Sequence, residues 1–230
     1  MAFEYLFAAL PSLPSGPGGR VGMPARELAA MCSAESGDAP LLSRALLVEF
    51  DIRAMERMAI GVDPGETALH TEEEIRAGQG LPAWLEGALA DARSADGGDY
   101  RFDRVWRAHF ANMFSLAEES GSGFLMRWAC FDAGLRSAVA AHRSSARKEA
   151  ARGCDIAGSC GDPCDYRRVI DEMIDIQERG DGSWKALDRF VASARLARAG
   201  EMSAPYSFDL DELLSYVVRF TVLKHCQYLA

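Results

Sequence analysis

Apolar side chains recur along most of the chain at intervals of three and four residues, the spacing of one face of an α-helix. Over residues 41–60 this repeat predicts a helix that ends before Gly61 and Pro64. The same spacing predicts further helices over residues 82–93, 100–119, 124–151 at its longest, 166–174 and 184–194. Most of the chain is therefore expected to be helical.

Two helix starts are marked by capping signals. Thr71 with Glu74 has the spacing of a capping box, in which each residue bonds the backbone N–H of the other. Asp209 with Glu212 repeats that spacing before the clearest amphipathic stretch of the chain. One face of the predicted C-terminal helix carries Leu210, Leu213, Leu214, Val217, Val218 and Thr221.

The N-terminal stretch 3–10 is short and nearly all apolar, so periodicity does not distinguish a buried strand from a turn of helix. No alternating pattern typical of a strand is found elsewhere. The sequence predicts an all-α fold, a compact multi-helix domain spanning 1–230 with two candidate lobes, 1–120 and 121–230. At most a short extended segment at the N-terminus is expected beside the helices.

Composition and charge narrow the class of protein. The 230 residues are 49% hydrophobic and 26% charged, which is typical of a globular chain. The net charge of -9, from 25 basic and 34 acidic residues, disfavours a nucleic-acid binder. No apolar run approaches the roughly 20 residues that span a bilayer, and no basic leader precedes the first apolar stretch. We expect a cytoplasmic protein without direct membrane insertion.

Motifs for catalysis are not recognisable in the sequence. A P-loop requires a lysine after a glycine-rich turn, and none of the three lysines (Lys148, Lys185, Lys224) has that context. The four histidines (His70, His109, His142, His225) do not form the paired pattern of a zinc protease. The sequence therefore predicts a protein that is not an enzyme, with no catalytic residue and no cofactor.

Three cysteines lie close together in a glycine-rich stretch. Five residues separate Cys154 from Cys160, and three separate Cys160 from Cys164. Their thiolates could hold a metal with a fourth ligand such as His142 or Cys226, which would make the chain a metal-binding or redox-responsive protein. The spacing lacks the usual Cys-x-x-Cys knuckle, so a loop with incidental thiols is the other interpretation.

A row of arginines marks a candidate partner surface. Arg136 and Arg143 are seven positions apart on the helix that begins at Phe124, and Arg147 follows one turn later. Guanidinium groups in such a row could bind an acidic protein surface through forked hydrogen bonds, although a solvated helix face is the other interpretation.

The segments at residues 3–13, 131–143 and 208–220 resemble parts of a bacterial protein family that is typically encoded within V-type (A/V-type) ATPase gene clusters. The opening FEYLFAALPSL (3–13) resembles the family's "YYLVASLPSL" start. The segment FDAGLRSAVAAHR (131–143) is similar to its "N-x-L-R-N … L-R" helix, and FDLDELLSYVVRF (208–220) to its "F-D-x-D-x-L-L-A-Y-x-L-K-L" helix. The resemblance is distributed over most of the chain.

The resemblance implies an accessory component of a V-type ATPase, similar to the C subunit (the d subunit of eukaryotic enzymes). That protein is an all-helical funnel on the membrane rotor ring that receives the foot of the central stalk. The implied protein is a reduced version of this helical funnel, which couples ATP hydrolysis to proton or sodium-ion transport. Its implied partners are central-stalk and membrane-ring subunits, through which it would lie peripheral to the inner membrane. A helical assembly factor is the alternative that we retain.

Overall fold

The computed structural model describes residues 3–94, 102–146, 164–178 and 183–228. Within these ranges the chain forms α-helices and no β-strand, which confirms the predicted all-α fold. The helices are α1 (Glu4–Ala9), α2 (Ala25–Ser33), α3 (Ala39–Ala59), α4 (Glu72–Ala77), α5 (Ala83–Ser94), α6 (Phe102–Ser120), α7 (Gly123–Ala146), α8 (Cys164–Glu178), α9 (Trp184–Glu201) and α10 (Leu210–Tyr228).

Helix α3 is the central helix of the bundle. Residues 45–52 are all buried, so this part of α3 has no solvent face. Helices α2, α6 and α10 pack against it. From α5 to α10, each helix also packs against the next one in the chain. Helices α6 to α10 thus form a continuous series whose first and last members both contact α3.

The capping signals act as predicted. The Thr71 hydroxyl accepts a hydrogen bond from the Glu74 N–H at 3.1 Å, and the Glu74 carboxylate accepts one from the Thr71 N–H at 2.6 Å. The Asp209 carboxylate accepts from the Glu212 N–H at 2.9 Å at the start of α10. All three bonds satisfy backbone donors that have no partner within the first turn of a helix.

The N-terminal segment is a turn of helix and not an extended segment, and the extended backbone begins only at Leu10, the residue that follows α1. Aromatic packing fixes this helix against the last one. The Phe7 ring lies 5.7 Å from the Phe208 ring and 6.4 Å from the Tyr216 ring, edge to face in both cases. The Tyr216 hydroxyl donates to the Pro11 carbonyl at 2.8 Å. The two ends of the described chain are therefore joined.

Candidate functional site

A buried network of charged side chains connects three helices of the bundle. Helix α3 contributes Glu49 and Arg53, α7 contributes Asp132 and Arg136, and α9 contributes Arg195. Only 7% of the Glu49 side chain, 2% of that of Asp132 and 7% of that of Arg195 are exposed. We call these five residues the arginine network.

The Glu49 carboxylate is the acceptor that all three guanidinium groups share. Arg53 donates to it from Nε at 2.9 Å and from Nη2 at 2.6 Å. Arg136 donates from Nη2 at 2.6 Å, and Arg195 Nη2 lies 3.3 Å from both carboxylate oxygens. Buried charges are costly unless they are paired with good geometry, and Glu49 satisfies that condition three times.

Asp132 is the second acceptor of the network. Arg136 donates to it from Nε at 2.9 Å, one helical turn along α7. Arg195 lies 3.1 Å away through Nη2, with its Nε 2.7 Å from the other carboxylate oxygen. Because Arg195 contacts both Asp132 and Glu49, it joins α9 to α7 and α3.

The pairing changes the proton affinity of these groups. Burial alone would raise the pKa of Glu49, but the nearby charges of Arg195, Arg136 and Arg53 hold that pKa well below its usual range. Burial opposes the charge of Arg136, yet Asp132 and Glu49 outweigh it and raise the pKa of the Arg136 guanidinium. Both shifts favour the charged forms of Glu49 and Arg136.

Trp106 and His225 complete the surroundings of the network. The Arg136 guanidinium lies 4.0 Å from the centre of the Trp106 ring, a cation–π contact, and the Trp106 N–H donates to Glu56 at 2.6 Å. The ring nitrogen Nε2 of His225 lies 3.2 Å from Arg53 Nη1. Burial lowers the pKa of His225 to about 2, so its neutral ring is the acceptor of that bond.

A cavity of about 360 Å³ opens beside the network, between α3, α6, α7, α9 and α10. Its polar lining carries both signs of charge, from Arg53, Arg136, Arg195, Glu56, Asp103 and Asp132. Arg143 and Asp188, which form an ion pair, also line it and are partly exposed. The site thus combines a fixed set of guanidinium donors with a space that is large enough for a small ligand.

The structure separates the three arginines of the predicted partner surface. Arg136 belongs to the interior network, with 21% of its side chain exposed. Arg143 pairs with Asp188 and keeps 40% of its side chain exposed. Arg147 lies outside the described residues. A role of this row in partner binding stays a prediction.

The cysteine stretch falls largely on residues that the structure does not describe. Cys154 and Cys160 lie outside the described ranges, and Cys164 is the first residue of α8. The proposed fourth ligands are His142 near the end of α7 and Cys226 on α10. Elsewhere in the described ranges, no group of three or more His, Cys, Asp or Glu is arranged to hold a metal ion. A metal or redox role of the three cysteines stays a prediction.

Sequence reasoning missed four of the five members of the network: Glu49, Arg53, Asp132 and Arg195. A signal was present in the helical patterns, because Glu49 occupies the same face as Leu42 and Leu46. Asp132 likewise falls between Trp128 and Leu135 on the buried face of α7. A charge inside an apolar stripe is rarely buried unless it is paired, so each of these positions indicates a buried partner.

A second buried ionic contact holds the loop between α3 and α4. Asp51, fully buried on α3, accepts from the backbone N–H groups of Ala68 (2.9 Å), Leu69 (3.3 Å) and His70 (3.2 Å). The His70 ring contacts Asp51 through Nδ1 at 2.8 Å and the Gly80 carbonyl through Nε2 at 3.1 Å. Both ring nitrogens thus face acceptors, and the hydrogen bond to Asp51 raises the pKa of His70.

Comparisons of the chain with protein-family profiles, with curated proteins and with solved structures find no match. Among the described helices, none combines the length and the apolar character that crossing a membrane requires.

Proposed function

We propose that the chain is a non-catalytic accessory component of a V-type ATPase, which couples the central stalk to the membrane rotor ring during proton or sodium-ion transport. The observation that carries this proposal is that the three segments that resemble the family lie on parts of the chain that contact one another. Two hydrogen bonds join residues 3–13 to residues 208–220. The Phe3 N–H donates to the Phe208 carbonyl at 3.3 Å, and the Tyr216 hydroxyl donates to the Pro11 carbonyl. Residues 131–143 lie on α7, which packs against α10.

The arginine network supports a mechanical role. A body that transmits torque must keep its helices in fixed relative positions while load is applied. Glu49 and Arg195 connect α3 with α9 over 146 positions of sequence, and Asp132 adds α7. Hydrogen bonds between charged groups are roughly twice as strong as neutral ones, so these contacts oppose sliding between the three helices.

Arg143 is the predicted contact residue that a partner would reach first, because Arg136 is engaged in the interior network. An acidic surface on a stalk or ring protein is the complementary partner, since exposed guanidinium groups pair with carboxylates. In this proposal the protein is cytoplasmic and attached to the inner membrane only through its partner subunits.

The test is purification of the tagged protein from its native membranes in mild detergent, with the co-purifying subunits identified and quantified by mass spectrometry. Recovery of stalk and ring subunits in fixed ratios supports a permanent coupling component. Recovery in low, variable amounts, only from assembling complexes, indicates the assembly factor instead. Recovery of no ATPase protein contradicts both roles.

A charge-reversed pair of variants tests the contact surface. Arg143→Glu should reduce the recovered stalk and ring subunits at least about tenfold, because a repulsive contact replaces an attractive one. Arg168→Glu on α8 is the matched control, because Arg168 is 87% exposed and pairs only locally with Glu172 among the described contacts. Equal recovery with both variants would remove Arg143 from the proposed surface. Thermal unfolding of each variant verifies that the fold is intact.

A further inference from the structure

We propose that Asp51, His70 and Gly80 form a pH-sensitive clasp. It holds residues 67–80 against α3 while both ring nitrogens of His70 carry protons, and it lets these residues open as a unit when one proton is lost. Residues 67–80 comprise the end of the loop after α3, the helix α4 and the turn that follows it, and we call them the α4 segment. The clasp does not depend on the proposed coupling role.

The Asp51 carboxylate can only accept a hydrogen bond from the His70 ring. Its Oδ1 already accepts from the N–H groups of Ala68 and Leu69, and its Oδ2 accepts from the N–H of His70. An ionised carboxylate has about four lone-pair positions and no proton to donate. The ring nitrogen Nδ1, at 2.8 Å from Oδ2, occupies the fourth position. Nδ1 therefore carries a proton in this arrangement.

The Gly80 carbonyl requires a proton on the other ring nitrogen. Its oxygen lies 3.1 Å from Nε2 and can only accept. Gly78 and Gly80 have left-handed φ angles of 66° and 71°, a conformation that glycine adopts without strain in the turn after α4. A neutral imidazole has one N–H and satisfies one of the two acceptors, whereas the imidazolium satisfies both.

His70 is the group at the clasp whose charge changes near neutral pH. Among the described residues, the other charged groups that act on it or bond to it are Asp51 and Arg44 of α3, Glu74 of α4 and Arg26 of α2. The capping-box bonds lower the pKa of Glu74, and guanidinium groups keep their charge over the same range. Arg26 donates to the His70 carbonyl, which gives the segment a second attachment that does not change with pH.

Loss of a proton from His70 weakens the closed state. The hydrogen bond to Asp51 raises the pKa of the ring above the ordinary value near 6.5, which the ring regains once the segment is open. The contribution of His70 to closure is therefore fully present below about pH 6.5 and is lost as the pH rises through the raised pKa. Between these two values the opening equilibrium constant increases by up to about tenfold per pH unit.

Helix α4 can separate from the bundle at a lower cost than the long helices. It has six residues, of which Ile75 is buried, and regions with few buried apolar contacts open at lower free energy than the core. Opening of the α4 segment leaves His109 on α6 and His225 on α10 in place. The local opening should therefore not increase at acidic pH, unlike global unfolding, which exposes both of these buried rings.

Amide hydrogen exchange followed by NMR on the full chain, from pH 5.5 to 8.5, tests the proposal. The probes are the N–H groups of Ala68 and His70, which donate to Asp51 in the closed state. Protection factors correct each rate for the intrinsic effect of pH on exchange. We expect both factors to be level below pH 6.5 and to fall by up to about tenfold per unit above it. At pH 7 they should be at least about tenfold smaller than those of the buried Val217 and Val218 of α10.

A pair of histidine variants assigns the effect. His70→Gln removes the titrating ring, so the two protection factors should change by less than about twofold between pH 6.5 and 8.5. His142→Gln is the matched control, because His142 lies near the end of α7 and takes no part in the clasp, and it should keep the wild-type decline. The ring carbon shifts of His70 in the wild-type protein give its pKa directly, which keeps the test decisive if His70→Gln does not fold.

Four results would overturn the proposal. Protection that stays level above pH 6.5 would uncouple the proton from the segment. A decline that persists in His70→Gln would assign the effect to another group. Equal protection of Ala68 and Val217 at pH 7 would mean that the segment opens only when the whole chain unfolds. A His70 ring that titrates at or below its ordinary pKa would show that it does not hold both acceptors.

Discussion

Glu49 is the residue on which the arginine network depends, because its carboxylate accepts hydrogen bonds from Arg53, Arg136 and Arg195. Removal of one partner from a buried ion pair leaves the other charges without compensation. In the Glu49→Gln variant the side chain keeps its size but loses its charge, and with it the electrostatic attraction to all three guanidinium groups. The residue therefore contributes more to stability than any exposed ion pair is expected to contribute.

We predict that Glu49→Gln lowers the free energy of unfolding at pH 7 by about 3–5 kcal/mol. Glu72→Gln is the control, because the Glu72–Arg76 pair lies on α4 with 41% and 65% of the two side chains exposed. That variant should cost about 0.5 kcal/mol or less. Urea denaturation followed by circular dichroism measures both, and a similar small cost for both variants would refute the central role of Glu49.

At the scale of the elements, the loop before α10 is held in an unusual backbone conformation. Tyr206 and Phe208 have φ angles of 62° and 51°, in the left-handed region that side chains disfavour. The Glu212 carboxylate accepts from the N–H groups of Tyr206 (2.8 Å) and Phe208 (2.7 Å). Glu212 thereby fixes both residues, and the Phe208 ring meets the Phe7 ring of α1.

The conformation of Tyr206 predicts a difference between two substitutions. Its side chain is 82% exposed, so truncation removes little packing. Tyr206→Gly removes the Cβ atom that opposes a positive φ, whereas Tyr206→Ala retains it. We expect the glycine variant to be about 1 kcal/mol more stable than the alanine variant. Urea denaturation of the two proteins decides this, and an alanine variant of equal or greater stability would contradict it.

The helices themselves can be predicted because their signals are local. The apolar repeat that predicts 41–60 corresponds to α3, and the repeat at 100–119 corresponds to α6. The Thr71–Glu74 capping box follows from two residues of the sequence and is present. The N-terminal segment 3–10 cannot be assigned from the sequence, because its apolar positions fit a strand as well as a helix and packing against α10 decides between them.

The candidate site could not be predicted, because its members meet only after folding. Glu49 and Arg136 are 87 positions apart, and Glu49 and Arg195 are 146 apart. The sequence singles out Arg136, but as a surface residue, since a helical pattern shows spacing and does not show which face the neighbouring helices cover. Charges within the apolar stripes indicate buried partners without identifying them.

At the scale of the whole molecule, buried titrating groups determine how stability depends on pH. Burial lowers the pKa of His109 to about 4 and that of His225 to about 2, both below the usual value near 6.5. The folded state therefore keeps both rings neutral at a pH where the unfolded chain takes up protons. Their contribution to the free energy of unfolding is fully present above about pH 6.5 and is lost as the pH falls. The lowered pKa of Glu49 acts in the same direction at more acidic pH.

His70 has the opposite effect. Its pKa is raised by the hydrogen bond to Asp51, so its stabilising contribution is fully present below about pH 6.5. That contribution is lost as the pH rises through the raised value. The contribution of His109 and His225 is lost below about pH 6.5, and that of His70 is lost above it. The free energy of unfolding is therefore expected to be highest near pH 6.5.

We therefore predict a steep acid limb and a shallower alkaline limb in the free energy of unfolding. Each buried neutral histidine contributes at most about 1.4 kcal/mol per pH unit, so His109 and His225 together give up to about 2.8 kcal/mol per unit near pH 5, and the share of His109 fades as the pH approaches its folded pKa of about 4. His225→Gln should reduce that slope by about half, because it removes one of the two sites. His70→Gln should leave the acid slope in place and remove the decline above pH 6.5. Urea denaturation at half-unit steps from pH 4.5 to 8.5 measures both limbs. An acid slope that His225→Gln leaves unchanged would show that the ring takes up its proton in the folded state, which its burial beside the Arg53 guanidinium opposes.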